Sequence, residues 1–149
     1  MDALYRNDFQ AFVERVLYEL QPETKYSDSP HITILCSKLT ECINGGSRRV
    51  IINLPPRSLK SIMVSVALVA WLLGKNPSER IICASYGQDL ADKHGRDTRS
   101  IMSSDFYRRV FPRTRLSPNK QAVNDFETTM GGGRMATSVG VRMPASHGR

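Results

Sequence analysis

The sequence has no apolar run approaching the roughly 18 residues that a membrane span needs. Its three cysteines, Cys36, Cys42 and Cys83, form no CxxC pair, so neither a zinc site nor a disulfide framework has support. The three histidines are scattered, with no carboxylate or cysteine at ligand spacing, which favours solvated or capping roles over metal binding. We therefore expect a soluble, cytoplasmic protein without a structural metal.

The charge balance is strongly basic. The 149 residues include 21 Lys and Arg against 14 Asp and Glu, a net charge of +7. A chain of this length can bury one real core, and its charge favours contact with a polyanion without identifying one. The densest basic region is compatible with contact to a phosphate backbone but has no base-reading motif. It comprises Tyr107, Arg108, Arg109, Arg113, Arg115 and Lys120.

The first third of the chain has the pattern of two helices. From Asp8 to Leu20, apolar residues recur at steps of three and four, which predicts a helix capped by Asn7 or Asp8. A second helix is predicted from Ser29-Pro30 to a stop at Gly45-Gly46. Residues 1–46 are thus expected to form a helical region.

The pattern then changes to alternating strands and helices. The β-branched run 49–54 lies between Gly-Gly and Pro-Pro, as expected of a strand buried on both faces. Residues 62–73 have the composition of a buried helix, and 80–85 repeat the buried-strand pattern. This order predicts a βαβ unit with a parallel sheet, followed by a helix over 90–102.

The segments 126–130 and 134–139 flank three consecutive glycines, a pattern typical of a β-hairpin. The predicted fold class is therefore α/β, with a hairpin near the C-terminus.

The loop between the first predicted strand and its helix carries the chemistry. Backbone amides of such a loop, together with the positive end of the following helix, can bind phosphate groups. Lys60 would reach the outer phosphates of a triphosphate, and the Ser61 hydroxyl would bind Mg²⁺. The predicted ATP-binding residues are Pro56, Arg57, Ser58, Leu59, Lys60 and Ser61.

The match to the pattern GxxxxGK[ST] is partial, because Leu54 and Leu59 stand where the two glycines belong. A basic cap on a buried helix is the alternative explanation. The guanidinium of Arg57 can fork onto phosphate oxygens and neutralise charge on the γ-phosphoryl group, whereas the alternative is a surface arginine in a proline turn. The predicted catalytic residues are Arg57 and Lys60.

Several motifs in order resemble the large terminase subunit of tailed bacteriophages. They are Arg49–Ser61, Ala70–Gly74, Ala84–Gly87, Arg96-Asp97 with Ile101, and Gly131–Gly140. The resemblance covers nearly the whole chain to Gly140. It implies an incomplete P-loop NTPase-like parallel sheet with flanking helices over 47–140. The remaining 141–149 do not follow the family.

The resemblance also implies a function. The chain is similar to the N-terminal part of an ATPase that uses ATP and Mg²⁺ to translocate double-stranded viral DNA into a procapsid, in the cytoplasm of the host cell. Family partners are the small terminase subunit and the portal protein, and the full-length protein forms a homo-oligomeric ring with no membrane contact. Lys60 and Ser61 take the phosphate and Mg²⁺ roles, and Arg57 contacts the γ-phosphate.

The sequence departs from the family after Gly140, where an acidic strand and then a nuclease domain are expected. A frame disruption or gene decay near Gly140 would leave a fragment that binds nucleotide at most, with exposed sheet edges. Whether the chain is an enzyme stays open. The alternatives are a non-enzymatic basic P-loop relic that binds nucleic acid or a partner protein, and a helicase-like ATPase.

Overall fold

The computed structural model describes residues 1–23, 30–46, 49–55 and 59–139. They form a mixed α/β fold in which helices flank an open four-stranded sheet. The helices are α1 (Asp2–Asn7), α2 (Phe9–Leu20), α3 (Pro30–Ile43), a π-helical segment (Ile62–Ala67) continuing into α4 (Leu68–Lys75), α5 (Gln88–Met102) and α6 (Asp105–Val110). The strands are β1 (Arg80–Ser85), β2 (Leu116–Ala122), β3 (Asp125–Thr128) and β4 (Gly133–Ser138).

The two predicted N-terminal helices are present. The Asp8 carboxylate caps α2 by accepting from the amides of Gln10 and Ala11 at 3.0 and 3.3 Å. Pro30 begins α3, and Gly45 follows its end with φ of +90°, a conformation that glycine adopts without a steric cost. Ser29, the predicted cap of α3, lies outside the described residues.

Aromatic side chains join the N-terminal helices to the rest of the chain in one core. The Phe12 ring on α2 lies 5.7 Å from Phe106, 6.3 Å from Tyr107 and 5.9 Å from Phe111, measured between ring centroids. Each of these four side chains is buried. The helical region therefore packs against the same core as α6.

The helix predicted over 62–73 is also present, but its first part is wider than an α-helix. The Leu68 amide donates to the Met63 carbonyl, five residues earlier, which is the hydrogen bond of a π-helix. The α4 part is fixed by side chains from elsewhere: Trp71 Nε1 donates to the Tyr5 carbonyl at 3.1 Å, and the Tyr107 hydroxyl donates to the Ala70 carbonyl at 2.7 Å.

The sheet has the order β1-β4-β3-β2. β3 and β4 are antiparallel, which confirms the predicted hairpin, and Gly131 in the connecting turn has φ of +89°. β1 pairs with β4 in parallel, from Arg80 opposite Gly133 to Ser85 opposite Ser138. This is the single parallel pair among the described strands.

The prediction of a buried strand at 49–54 was wrong. Residues 49–55 form no strand, and Ile51 is 88% exposed, while Ile52 and Leu54 pack against the edge of the core. The predicted βαβ unit is therefore not formed. β-branched residues favour extended backbone, but pairing requires a partner edge, and this segment instead lies beside α3.

The burial predicted for 80–85 was also wrong, although β1 spans these residues. Its side chains alternate, with Ile81 and Cys83 packed against the core and Ile82 70% exposed. Met135, which is opposite Ile82 on β4, is exposed as well. Because the described helices leave this face of β1 uncovered, only alternate residues of the strand are shielded.

Candidate functional site

The structure describes only part of the predicted phosphate loop. Pro56, Arg57 and Ser58 lie outside the described residues, so their predicted roles stay predictions. Leu59, Lys60 and Ser61 are described and begin the long helix. The segment before the predicted phosphate loop, residues 49–55, is not a strand.

Leu59 has an unusual backbone conformation. Its φ is +67°, and it is the one non-glycine residue with positive φ among those described. A side chain in this left-handed region costs about 1–2 kcal/mol, which is why glycine normally occupies it. Leu59 stands at the second glycine position of the phosphate-loop pattern. The backbone thus adopts there the conformation for which that pattern uses glycine.

Two contacts hold Leu59 in this conformation. Its side chain is half-buried and packs against the edge of the core. Its carbonyl accepts from the Met63 amide at 2.9 Å, which makes it the first acceptor of the helix. Packing on one side and the helix on the other therefore fix the turn that precedes Lys60.

Lys60 points back across the loop. Its ammonium donates to the Leu54 carbonyl at 2.6 Å, and the side chain is half-buried. This bond joins the residues that precede and follow the predicted phosphate loop. A neutral carbonyl leaves that charge uncompensated, so the ammonium is placed to attract an anion.

Ser61 is exposed in the first turn of the helix and makes no capping hydrogen bond to the backbone. The Mg²⁺ role of Ser61 therefore stays a prediction. Among the residues that the structure describes, no group of three or more His, Cys, Asp or Glu side chains is arranged to bind a metal.

The segment before the loop also lines a cleft. The cleft has a volume of about 440 Å³, and its lining is mostly apolar. It lies between α3 and residues 50–54, and includes Ile34, Leu35 and Ile52. The segment that supplies the carbonyl partner of Lys60 therefore also borders a mostly apolar cleft.

A buried polar cluster lies against the helix that follows the loop, Ile62–Lys75, which we call the loop helix. Sequence patterns did not predict this cluster. The Ser65 carbonyl, in the π-helical segment, accepts from Thr98 Oγ1 at 3.3 Å and from Arg134 Nη2 at 3.1 Å. Arg134 is 1% exposed, and its Nε and Nη1 have no hydrogen-bond partner among the described residues. Burial lowers the pKa of Arg134. Burial also raises the pKa of Cys83, and the positive charge of Arg134 lowers it in part.

Two smaller interpretations need correction. The sequence favours a buried tyrosine at a strand end for Tyr86, but its side chain is 77% exposed, so that interpretation was wrong.

The solvated or capping role expected for His94 is also wrong, because the side chain is buried. Its Nδ1 has no hydrogen-bond partner in the part of the chain that the structure describes. Burial is the main reason that the pKa of His94 is lowered, and Arg134 adds to the effect. His147 lies outside the described residues, as do 141–149 as a whole.

Comparison with protein-family models, with curated proteins and with solved structures finds no match. The described helices include none that is long and apolar enough to cross a membrane.

Proposed function

We propose that this chain is the N-terminal part of a DNA-packaging ATPase of the large-terminase type, and that its 54–61 loop binds the triphosphate of ATP together with Mg²⁺. The observation that carries the proposal is the left-handed backbone of Leu59 immediately before Lys60. The P-loop character of the fold belongs to the same proposal.

The left-handed residue matters because it determines where the next amides point. A chain that passes from a left-handed residue into a helix directs successive N–H groups toward one concave spot, which binds anions. Leucine holds this conformation against a cost of about 1–2 kcal/mol. Strained backbone of this kind is concentrated at functional sites, where the surrounding structure maintains it.

The position of Lys60 supports the same site. Its ammonium donates to the Leu54 carbonyl at 2.6 Å, so it lies close to the residue that precedes the predicted phosphate loop. A phosphate oxygen carries a full charge, so it is a stronger partner for the ammonium than a carbonyl. When triphosphate binds, the Lys60 ammonium would therefore exchange the Leu54 carbonyl for a phosphate oxygen, and the Ser61 hydroxyl would bind Mg²⁺. Arg57 would neutralise the γ-phosphate.

A binding titration with Mg²⁺-ATP tests this proposal. We expect Lys60→Ala to weaken binding by at least about 10-fold, since a hydrogen bond to a charged group contributes about 1.5–3 kcal/mol. The matched control is Lys93→Ala, which removes an exposed lysine on α5 that pairs with Asp97. Ser61→Ala should weaken binding when Mg²⁺ is present and have little effect in EDTA. Equal affinity for wild type and Lys60→Ala would refute the proposal.

Hydrolysis, translocation of double-stranded DNA, ring formation, and contact with a small terminase subunit and a portal are proposed for the complete motor. The second candidate function is a non-enzymatic basic domain that binds nucleic acid. It is favoured by Arg99, Arg108, Arg113 and Arg115, which form no ion pair within the part of the chain that the structure describes. The ATP titration separates the two, because the second predicts no dependence on Lys60.

A further inference from the structure

The two edge strands of the sheet differ in how they are protected from pairing with another chain. β2, at one edge, contains Pro118 and Lys120, and its register with β3 shifts between Leu116 and Gln121. Proline, lysine and an irregular register are features by which natural sheets keep an edge strand from pairing further. β1, at the other edge, has the sequence RIICAS and a continuous register with β4, so it has none of these features. The edge of β1 is therefore open to a further strand.

The backbone of β1 presents hydrogen-bonding groups at this edge. The Glu79 carbonyl, just before the strand, accepts from the Gly133 amide at 2.9 Å, so it points toward β4. Backbone groups of successive residues in a strand point to opposite sides, so the amides and carbonyls of Arg80, Ile82 and Ala84 point away from β4. Within the described residues β1 pairs with β4 alone, so these groups have no strand partner there.

The side chains of these three residues lie on the uncovered face of the sheet. Arg80 and Ala84 are exposed, and Ile82 is 70% exposed. Tyr86, which follows the strand, is exposed as well. A strand added at this edge would therefore cover apolar side chains while it pairs the backbone.

A second copy of this chain fits the edge. When two β1 strands pair antiparallel about a two-fold axis at Ile82, the two Ile82 side chains lie opposite each other, and Arg80 lies opposite Ala84 of the partner subunit. Each of these is a hydrogen-bonded pair, so the outward amides and carbonyls of β1 all find partners. The register also places an apolar side chain against its own copy, which stabilises a cross-strand pair.

The same register gives the exposed ring of Tyr86 a contact. Tyr86 of the partner subunit is the diagonal neighbour of Arg80 across the two strands, a distance within reach of aromatic and long side chains. A guanidinium over the face of a tyrosine ring is attracted to it. Because of the two-fold axis, this contact forms twice.

We infer that this chain forms a two-fold dimer by antiparallel pairing of β1 with β1 of a second copy. Such an interface is isologous and closes at two copies, so it differs from the head-to-tail contact that a ring requires. The inference does not depend on nucleotide binding at the 54–61 loop.

Sedimentation equilibrium of the full chain, from about 1 to about 200 µM, tests the inference. Ile82→Lys places two like charges opposite each other at the two-fold axis. The matched control is Met135→Lys, which adds the same charge on the same face, opposite Ile82 but on the interior strand β4. A second variant, Ala84→Pro, removes one outward amide without adding charge and leaves the pairing with β4 intact.

We expect the wild type to dimerise within this range, and both β1 variants to raise the Kd by at least about 10-fold, since the two-fold axis makes each change act twice. Met135→Lys should change the Kd by less than about 3-fold. An equal loss in Ile82→Lys and Met135→Lys would indicate stacking of the uncovered faces and overturn edge pairing. A wild type that stays monomeric up to about 200 µM would also overturn the inference, and would leave the edge to a strand from a different protein. Circular dichroism checks that each variant is folded; both lysines replace exposed side chains, so Ile82→Lys decides alone if Ala84→Pro does not fold.

Discussion

The substitution Gly95→Ala tests how closely α5 approaches the β2–β3 turn. Gly95 is buried in the middle of α5, and a Cβ placed there would lie 2.0 Å from the Val123 carbonyl oxygen and 3.3 Å from Arg134 Nη1. Helix propensity alone favours alanine over glycine by about 1 kcal/mol. The structure predicts the opposite sign, because the new methyl group meets backbone rather than a flexible side chain.

The magnitude follows from the distance. Relieving a 2.0 Å contact requires α5 and the β2–β3 turn to separate by more than an ångström, which also disturbs the contact of Arg134 with Ser65. Forcing extra atoms into a packed site costs about 1–3 kcal/mol, and the helix propensity offsets about 1 kcal/mol of it. We expect a net loss of about 1–2 kcal/mol, or a decrease in Tm of about 5 °C for a chain of this size.

Thermal and urea unfolding followed by circular dichroism measures this loss. Gly87→Ala is the matched control: Gly87 precedes α5 by one residue, has φ of −113°, and an added methyl group would have no atom within 4 Å. Because Gly87 is the N-cap of α5, where glycine is preferred to alanine, the control should lose about 1 kcal/mol or less and involve no steric clash. If Gly95→Ala is as stable as wild type, α5 does not lie against the β2–β3 turn.

Two further predictions concern buried polar groups. Tyr107→Phe should lower the free energy of unfolding by about 1–2 kcal/mol, because it removes the hydroxyl that donates to the buried Ala70 carbonyl at 2.7 Å. The control Tyr18→Phe, at an exposed position, should have no effect. Equal stabilities for the two variants would contradict the buried hydrogen bond. The lowered pKa of His94 means that the unfolded chain binds its proton more readily, so the folded state should lose stability as pH falls below about 6.5. Urea unfolding at several pH values should give a smaller loss in His94→Gln, and an identical pH dependence in both proteins would refute this assignment.

Local patterns predicted α2, α3, the helix after the loop, α5 and the hairpin, whereas α1 and α6 were not predicted. α2 has a cap and a three-four apolar spacing, and the glycines between β3 and β4 define a turn, so neighbouring residues determine these elements. The run 49–54 was misassigned because strand pairing depends on a distant edge. β2 was not predicted, since its sequence LSPNKQA is polar and contains a proline, as edge strands can.

The candidate site was predictable only where it is contiguous in sequence. Lys60 and Ser61 follow from a motif, but the cluster of Ser65, Thr98 and Arg134 joins residues 33 and 69 positions apart. Thr98 does fall on the apolar face of α5, and Arg134 alternates inward on β4, so periodicity contains a partial signal for both. The sequence pattern does not indicate that both side chains donate to the Ser65 carbonyl.

The π-helical turns of Ile62–Ala67 affect how many residues precede the loop helix. A π-helical turn contains one more residue per hydrogen-bonded ring than an α-helical turn. The C-terminal half of this helix is anchored by Trp71 and by the Ala70 carbonyl, so it cannot accept an extra residue. Tightening Ile62–Ala67 to α-helical geometry would therefore shift one residue toward Lys60, and it would also rotate the buried Met63 and Val66 and move the Ser65 carbonyl away from Thr98 and Arg134.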